Sequence, residues 1–133
     1  MVTFEECGNI LDDIADEMPV ELYRDLSGGI LLLDETKLHP KAVNNDLYIL
    51  GLYVRNSIGR HIEIYYGSIS RVYGNLSKEQ LTQKLRSILH HEVRHHNEFL
   101  AGVDDLCDYD REQIDKYLQS KAKGTSWQEC LLL

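Results

Sequence analysis

The sequence predicts a small α+β domain: N-terminal helices, a short mixed sheet or hairpin packed on one long helix, and a C-terminal helix. Three patterns carry that expectation. Apolar residues recur at helical spacing over residues 3–18 and 77–101. Residues 47–69 are instead rich in β-formers and alternate in polarity. Turn residues separate these blocks.

Taken in order, Phe4, Ile10, Leu11, Ile14 and Met18 lie close to helical spacing, and Thr3 followed by Glu6 makes a capping box. Pro19 suits the first turn of a short helix over residues 20–26, which Ser27-Gly28-Gly29 ends. Residues 30–33 form a continuous apolar run and read as a buried strand. Residues 34–46 are polar, contain Pro40 and read as a loop.

Residues 47–55 read as a strand, with Gly51 marking a bulge or a close backbone approach. After a turn at residues 56–59, residues 61–69 alternate: Ile62, Ile64 and Tyr66 on one face, His61, Glu63 and Tyr65 on the other. The two strands form a hairpin.

Ser77, with Gln80 completing a capping box, opens a helix that runs to about Ala101 and stops at Gly102. Leu81, Leu85, Ile88, Leu89 and Phe99 form its core-facing stripe. A last helix spans residues 110–118. Residues 1–118 then make one domain, and residues 119–133 a tail ending in Trp127 and three leucines, which frays or docks on the body or another chain.

At 133 residues the chain can bury its own core. A net charge of -8 argues against nucleic acid and anionic lipid as partners, and no basic patch argues the other way. The acidic start lacks the basic, apolar character of a signal peptide, and no apolar run reaches membrane length. Cys7, Cys107 and Cys130 are far apart without a C-x-x-C pair and read as free thiols. A cytoplasmic location follows as the expectation.

The chemistry concentrates at His91-Glu92-Val93-Arg94-His95, an H-E-x-x-H stretch inside the long helix; His90 and His96 extend the cluster. Helical residues four apart differ by about 40° around the axis and roughly 6 Å along it. His91 and His95 can therefore reach one tetrahedral zinc ion, and Glu92 lies where it can take a proton from a water held there. By helical angle His96 turns to the apolar side and packs, whereas His90 and Arg94 face solvent.

Catalytic zinc usually takes three protein ligands. Glu98 shares the helix face, but three ligands on one straight helix would string out over about 10 Å. A carboxylate returning after the Gly102 turn is better placed. Asp105 is favoured as the third ligand, with Asp104 and Glu98 as alternatives; Asp104 also suits a helix cap.

On these residues the chain resembles the minimal zincin-like metallopeptidases, small bacterial proteins described as predicted zinc proteases with a matrix-metalloprotease-like domain. The resemblance rests on residues 89–96 (LHHEVRHH) and 102–106 (GVDDL). Support comes from residues 18–21 (MPVE), 50–53 (LGLY) and 62–65 (IEIY), and the match spans about residues 3–118. It implies a small sheet packed on the H-E-x-x-H helix and carries over His91, Glu92 and His95. The family usually has glycine two residues after the doubled histidine; here Glu98 stands there and the glycine comes later, at Gly102.

The expected function is zinc-dependent hydrolysis of peptide bonds in a peptide or protein substrate, with Glu92 as general base. The edge of the hairpin offers a place for an extended substrate, and Tyr65, Tyr66 or Tyr109 are candidate oxyanion donors. The alternatives are a zinc- and peptide-binding domain without catalysis, and an interaction protein in which the histidines only pack.

Overall fold

The computed structural model describes residues 1–122. Four α-helices, one short 3-10 helix and five strands make an α+β fold among these residues. Helix α1 (Phe4–Glu17) carries the expected Thr3–Glu6 capping box in both directions, a device worth about 1 kcal/mol. Its buried face is Cys7, Ile10, Leu11 and Ile14. Pro19 caps a single 3-10 turn, Val20–Tyr23, shorter than the helix expected there.

The main sheet has the order β1-β5-β4, with β1 Ile30–Leu33, β4 Gly51–Arg55 and β5 Arg60–Tyr65. β4 and β5 form the expected antiparallel hairpin, and β1 joins β5 in parallel. β1 is less buried than its composition predicts, with Leu31 exposed. The hairpin turn is held by the Asn56 side chain, which accepts from the N–H groups of Ile58 and Gly59.

Two stretches differ from the sequence reading in the kind of element they form. The polar stretch after β1 is not all loop: β2 (Lys37–Leu38) pairs antiparallel with β3 (Tyr48–Ile49). The alternation read over residues 61–69 ends at Tyr65, where α2 (Tyr66–Tyr73) begins. Tyr66, Ile69, Val72 and Tyr73 follow helical spacing rather than alternation, and the burial of the adjacent Ser68 and Ile69 fits the helix.

Helix α3 (Lys78–Ala101) opens on the Ser77–Gln80 capping box and ends on Gly102 in the left-handed conformation, φ 71°, which glycine adopts without steric cost. Leu81, Leu85, Ile88, Leu89 and Val93 join the α1 face, Leu50, Ile62, Ile64 and Ile69 in the core. Phe99, expected in that stripe, is instead partly exposed. Helix α4 (Asp105–Ala122) begins five residues earlier than predicted and continues past residue 118. Of the expected tail, residues 119–122 belong to α4, and Trp127 and Cys130 lie outside the described residues.

A second small core holds α4 in place. Leu47 and the fully buried Tyr117 pack with Ala42, Ile114 and Leu118. The Tyr117 hydroxyl accepts from the Val43 N–H at 2.7 Å and donates to Asp46 at 2.5 Å. Lys121 closes the cluster on the same Asp46 carboxylate.

Candidate metal centre

Residues four apart on α3 place His91 and His95 side by side, their rings 4.9 Å apart. The α4 helix returns beside α3 after the Gly102 turn and sets Asp110 opposite both. Asp110 Oδ2 lies 2.7 Å from His95 Nε2 and 3.2 Å from His91 Nε2. One ligand atom from each of the three residues falls within 4.8 Å of the other two, so the cluster could hold a metal ion. Asp110 and His95 are buried and His91 is half-buried.

The third position corrects the sequence expectation. Asp105 is exposed at the first turn of α4 and takes no part in the cluster. A helix that starts at residue 105 needs about one and a half turns to climb back to the level of the histidines, and Asp110 is the carboxylate there. Asp104 is exposed in the connecting turn. Glu98 has other work: its carboxylate accepts from the Leu106 N–H at 2.8 Å and from Arg94 at 2.7 Å. It thus caps the start of α4 from outside that helix.

Burial by itself would raise the Asp110 carboxyl, but the hydrogen bonds and charges of His91 and His95 outweigh it and hold the group below the usual aspartate range. Glu92 goes the other way. It is fully buried, and neither carboxylate oxygen has a hydrogen-bond partner among the described residues. Burial, then the charge of Asp110, raise its pKa well above the ordinary value, with the Tyr53 backbone pulling modestly down.

Tyr53 belongs to β4, and the ladder explains its influence. Tyr65 N–H donates to Leu50 O and Asn56 N–H to Gly59 O, each at 2.9 Å. With the β4–β5 register, alternation turns the peptide groups of Leu52 and Val54 toward β5. Those of Gly51, Tyr53 and Arg55 face the free side. Glu92 therefore sits against the free edge of β4. Gly51 makes the close approach expected of it, since a Cβ there would stand 3.0 Å from Ile88 Cγ2 and 3.3 Å from Glu92 Cγ.

Outside the cluster, His96 is fully buried as expected. Its Nε2 donates to Arg24 O at 2.6 Å, which leaves Nδ1 to accept from the Tyr53 hydroxyl at 2.7 Å. His90 and Arg94 are exposed, also as expected. Cys107 Sγ approaches His95 Nδ1 at 3.8 Å, on the ring edge opposite Asp110, where an orienting partner of a metal ligand usually stands.

Two of the three candidate oxyanion donors are engaged elsewhere. Tyr65 bonds Glu63, Tyr66 bonds Val2 O at 2.5 Å, and Tyr109 is exposed on α4. Sequence reasoning missed Asp110 and the Glu92–β4 contact; the first was legible as a carboxylate nearly as far beyond Gly102 as His95 lies before it.

No family model and no curated protein matches the chain. Among solved structures it is similar to a conserved hypothetical protein from Thermus thermophilus. The identity is 29% and the TM-score 0.65, over 75% of this chain and 98% of that one. No helix among the described residues is long and apolar enough to cross a membrane.

Proposed function

We propose that this chain is a zinc-dependent metallopeptidase of the minimal zincin-like type. The observation that carries the reading is the convergence of His91, His95 and Asp110 beside the unpartnered, buried carboxylate of Glu92. Two imidazoles and a carboxylate suit zinc in geometry and softness. A buried orphan carboxylate is costly, and a water between it and the cluster would relieve that cost.

Bound there, zinc would supply the Lewis acidity that acidifies a water and polarises a carbonyl. The protein side of the chemistry falls to few groups. His91 and His95, on one rigid helix, fix the spacing, and Asp110 adds the negative charge that favours a cation. Glu92 accepts the proton of the attacking water and returns it to the leaving amine. Its raised proton affinity favours the acceptance of that proton. The peptide groups of Tyr53 and Arg55, on the side of β4 away from β5, offer an extended substrate a strand to pair with.

The test is metal content per chain in wild type, His95→Ala and Asp110→Ala, followed by a peptide-library assay with Glu92→Gln as control. One zinc per wild-type chain, lost in both ligand variants, with cleavage that Glu92→Gln abolishes, is the expected result. No metal after zinc is added back overturns the reading. The full burial of Glu92 favours one alternative, a zinc- and peptide-binding domain without turnover. Zinc binding with no cleavage of any pool, by wild type as by Glu92→Gln, would decide for it.

A further inference from the structure

The free edge of β4 ends in an unusual place for a chain of net charge -8. Arg55, its last residue, lays its guanidinium over the Phe99 ring at 4.2 Å, and Arg60 approaches the same ring at 5.9 Å. This accounts for the exposure of Phe99. The ring is a platform for two cations rather than part of the core. Four Arg and Lys side chains pair with carboxylates among the described residues (Arg86, Arg94, Arg111 and Lys121), and Arg55 and Arg60 are not among them. Arg60 spends its Nε–H on Asp25 O. Stacking holds the Arg55 fork in place while leaving its N–H groups open to a carboxylate.

Several observations tie this platform to the metal cluster. Arg55 belongs to the set of residues whose peptide groups face the free side of β4, as does Tyr53, which adjoins Glu92. Its charge is also felt at Cys107, whose sulfur contacts His95. Asp104, Asp110 and Glu98 are the carboxylates that act on Cys107 together with Arg55. Glu98 is held by Arg94 and Leu106, and Asp110 by the two histidines. Arg55 forms no ion pair with a carboxylate of the described residues, Asp104 included, which leaves the cation for an incoming partner.

We infer that Arg55, backed by Arg60 on the Phe99 platform, forms a subsite for an acidic side chain of a peptide lying along the β4 edge. The inference rests on the peptidase reading for its substrate class and goes beyond it in naming a selectivity. Antiparallel pairing is the more stable arrangement and sets the N-terminal half of the peptide against Arg55. Two residues of strand separate Tyr53 from Arg55, about 7 Å. The acidic residue therefore falls about two residues before the scissile bond.

The experiment measures binding, so that it stands apart from turnover. Two pools of fluorescein-labelled octapeptides are titrated against the zinc-supplemented Glu92→Gln protein by anisotropy. They are identical except that one carries Asp and Glu where the other carries Asn and Gln. The acidic pool is expected to bind about five- to tenfold tighter, a difference that shrinks with salt. Arg55→Gln abolishes the preference, Arg55→Lys keeps most of it, and Arg71→Gln, the same charge change on α2, leaves it intact.

Equal binding of the two pools, binding of neither, or a preference that survives Arg55→Gln overturns the subsite. Circular dichroism of Arg55→Lys and Arg55→Gln guards against misfolding. If wild type cleaves neither pool while the Arg55-dependent preference persists, the subsite stands and the peptidase reading falls.

Discussion

His95 Nε2 and Asp110 Oδ2 lie 2.7 Å apart across the α3–α4 seam, and His91 Nε2 meets the same oxygen at 3.2 Å. Ligand atoms about 2.0 Å from a tetrahedral zinc ion stand about 3.3 Å from one another. The His91–Asp110 spacing already meets that figure, and the His95–Asp110 pair has to open by about half an ångström. A small shift of α4 against α3 opens that pair, and the three ligand atoms all lie within 4.8 Å of one another. The two Asp110 contacts are thus close to the spacing a zinc ion needs, with the imidazole N–H groups filling the role of the cation.

Zinc should therefore stabilise the folded chain, and the ligand variants should separate Asp110 from Asp105. At a hundredfold excess over its dissociation constant, a metal bound only by the folded state adds about 2.7 kcal/mol. Thermal unfolding with zinc and with EDTA is expected to differ by several degrees in wild type and in Asp105→Ala. It should not differ in Asp110→Ala or His95→Ala. A zinc shift that survives Asp110→Ala and disappears in Asp105→Ala would mean that the third ligand is misassigned.

Glu92 makes a prediction about pH in the metal-free protein. Its folded pKa is raised well above the ordinary glutamate value by burial and by Asp110. The folded state then binds the proton more tightly than the unfolded chain. Stability from this group is complete below about pH 4.5 and falls as pH rises toward the folded value. In EDTA, wild type should lose stability over that range relative to Glu92→Gln. Denaturant unfolding of the two proteins from pH 4.5 upward checks this, and parallel stability curves would refute it.

Which parts of this arrangement the sequence reveals depends on how local each signal is. The histidine pair and its glutamate are legible because one helical turn fixes their relation, and both capping boxes and Gly102 act within four residues. Asp110 is a tertiary relation. His95 lies seven residues before Gly102 and Asp110 eight after it, so an antiparallel helical pair brings them level, whereas a carboxylate directly after the turn stays at its far end. Phe99 follows the α3 stripe in the sequence yet sits beyond the sheet, where Arg55 and Arg60 cover it. The strand-to-helix change at Tyr65 is hidden because β-forming tyrosines and isoleucines continue across it, although Tyr66 and Ile69 already break the alternation.

Gly51 tests how tightly β4 is pressed onto the site. A methyl group there would meet Ile88 Cγ2 at 3.0 Å, Ile64 Cδ1 at 3.2 Å and Glu92 Cγ at 3.3 Å. Two of those neighbours are fully buried core side chains with little room to give. Gly51→Ala should cost about 1–3 kcal/mol as overpacking, despite the better strand propensity of alanine. Because the strain falls on Glu92, any peptidase activity should drop further than zinc binding does. Urea unfolding measures the first effect, and a wild-type midpoint would show that the seam is slack.

The Tyr117–Asp46 clamp tests whether α4 docking governs the metal site from a distance. Tyr117→Phe removes the acceptor that the Val43 N–H has at 2.7 Å and a donor from Asp46. The loss should be about 0.5–1.5 kcal/mol. Asp46 is the pH-sensitive part. Burial would raise its pKa, but Lys121 and Tyr117 outweigh that and hold it below the ordinary aspartate value. Its contribution is present above about pH 4 and lost as pH falls through the lower folded value. Wild type should therefore lose stability in acid more steeply than Asp46→Asn. Since α4 carries Asp110, both variants should also weaken zinc binding at neutral pH without touching a ligand. Calorimetric zinc titration of Tyr117→Phe decides the point: wild-type affinity would mean that the α3–α4 seam alone fixes Asp110 and the clamp is only structural.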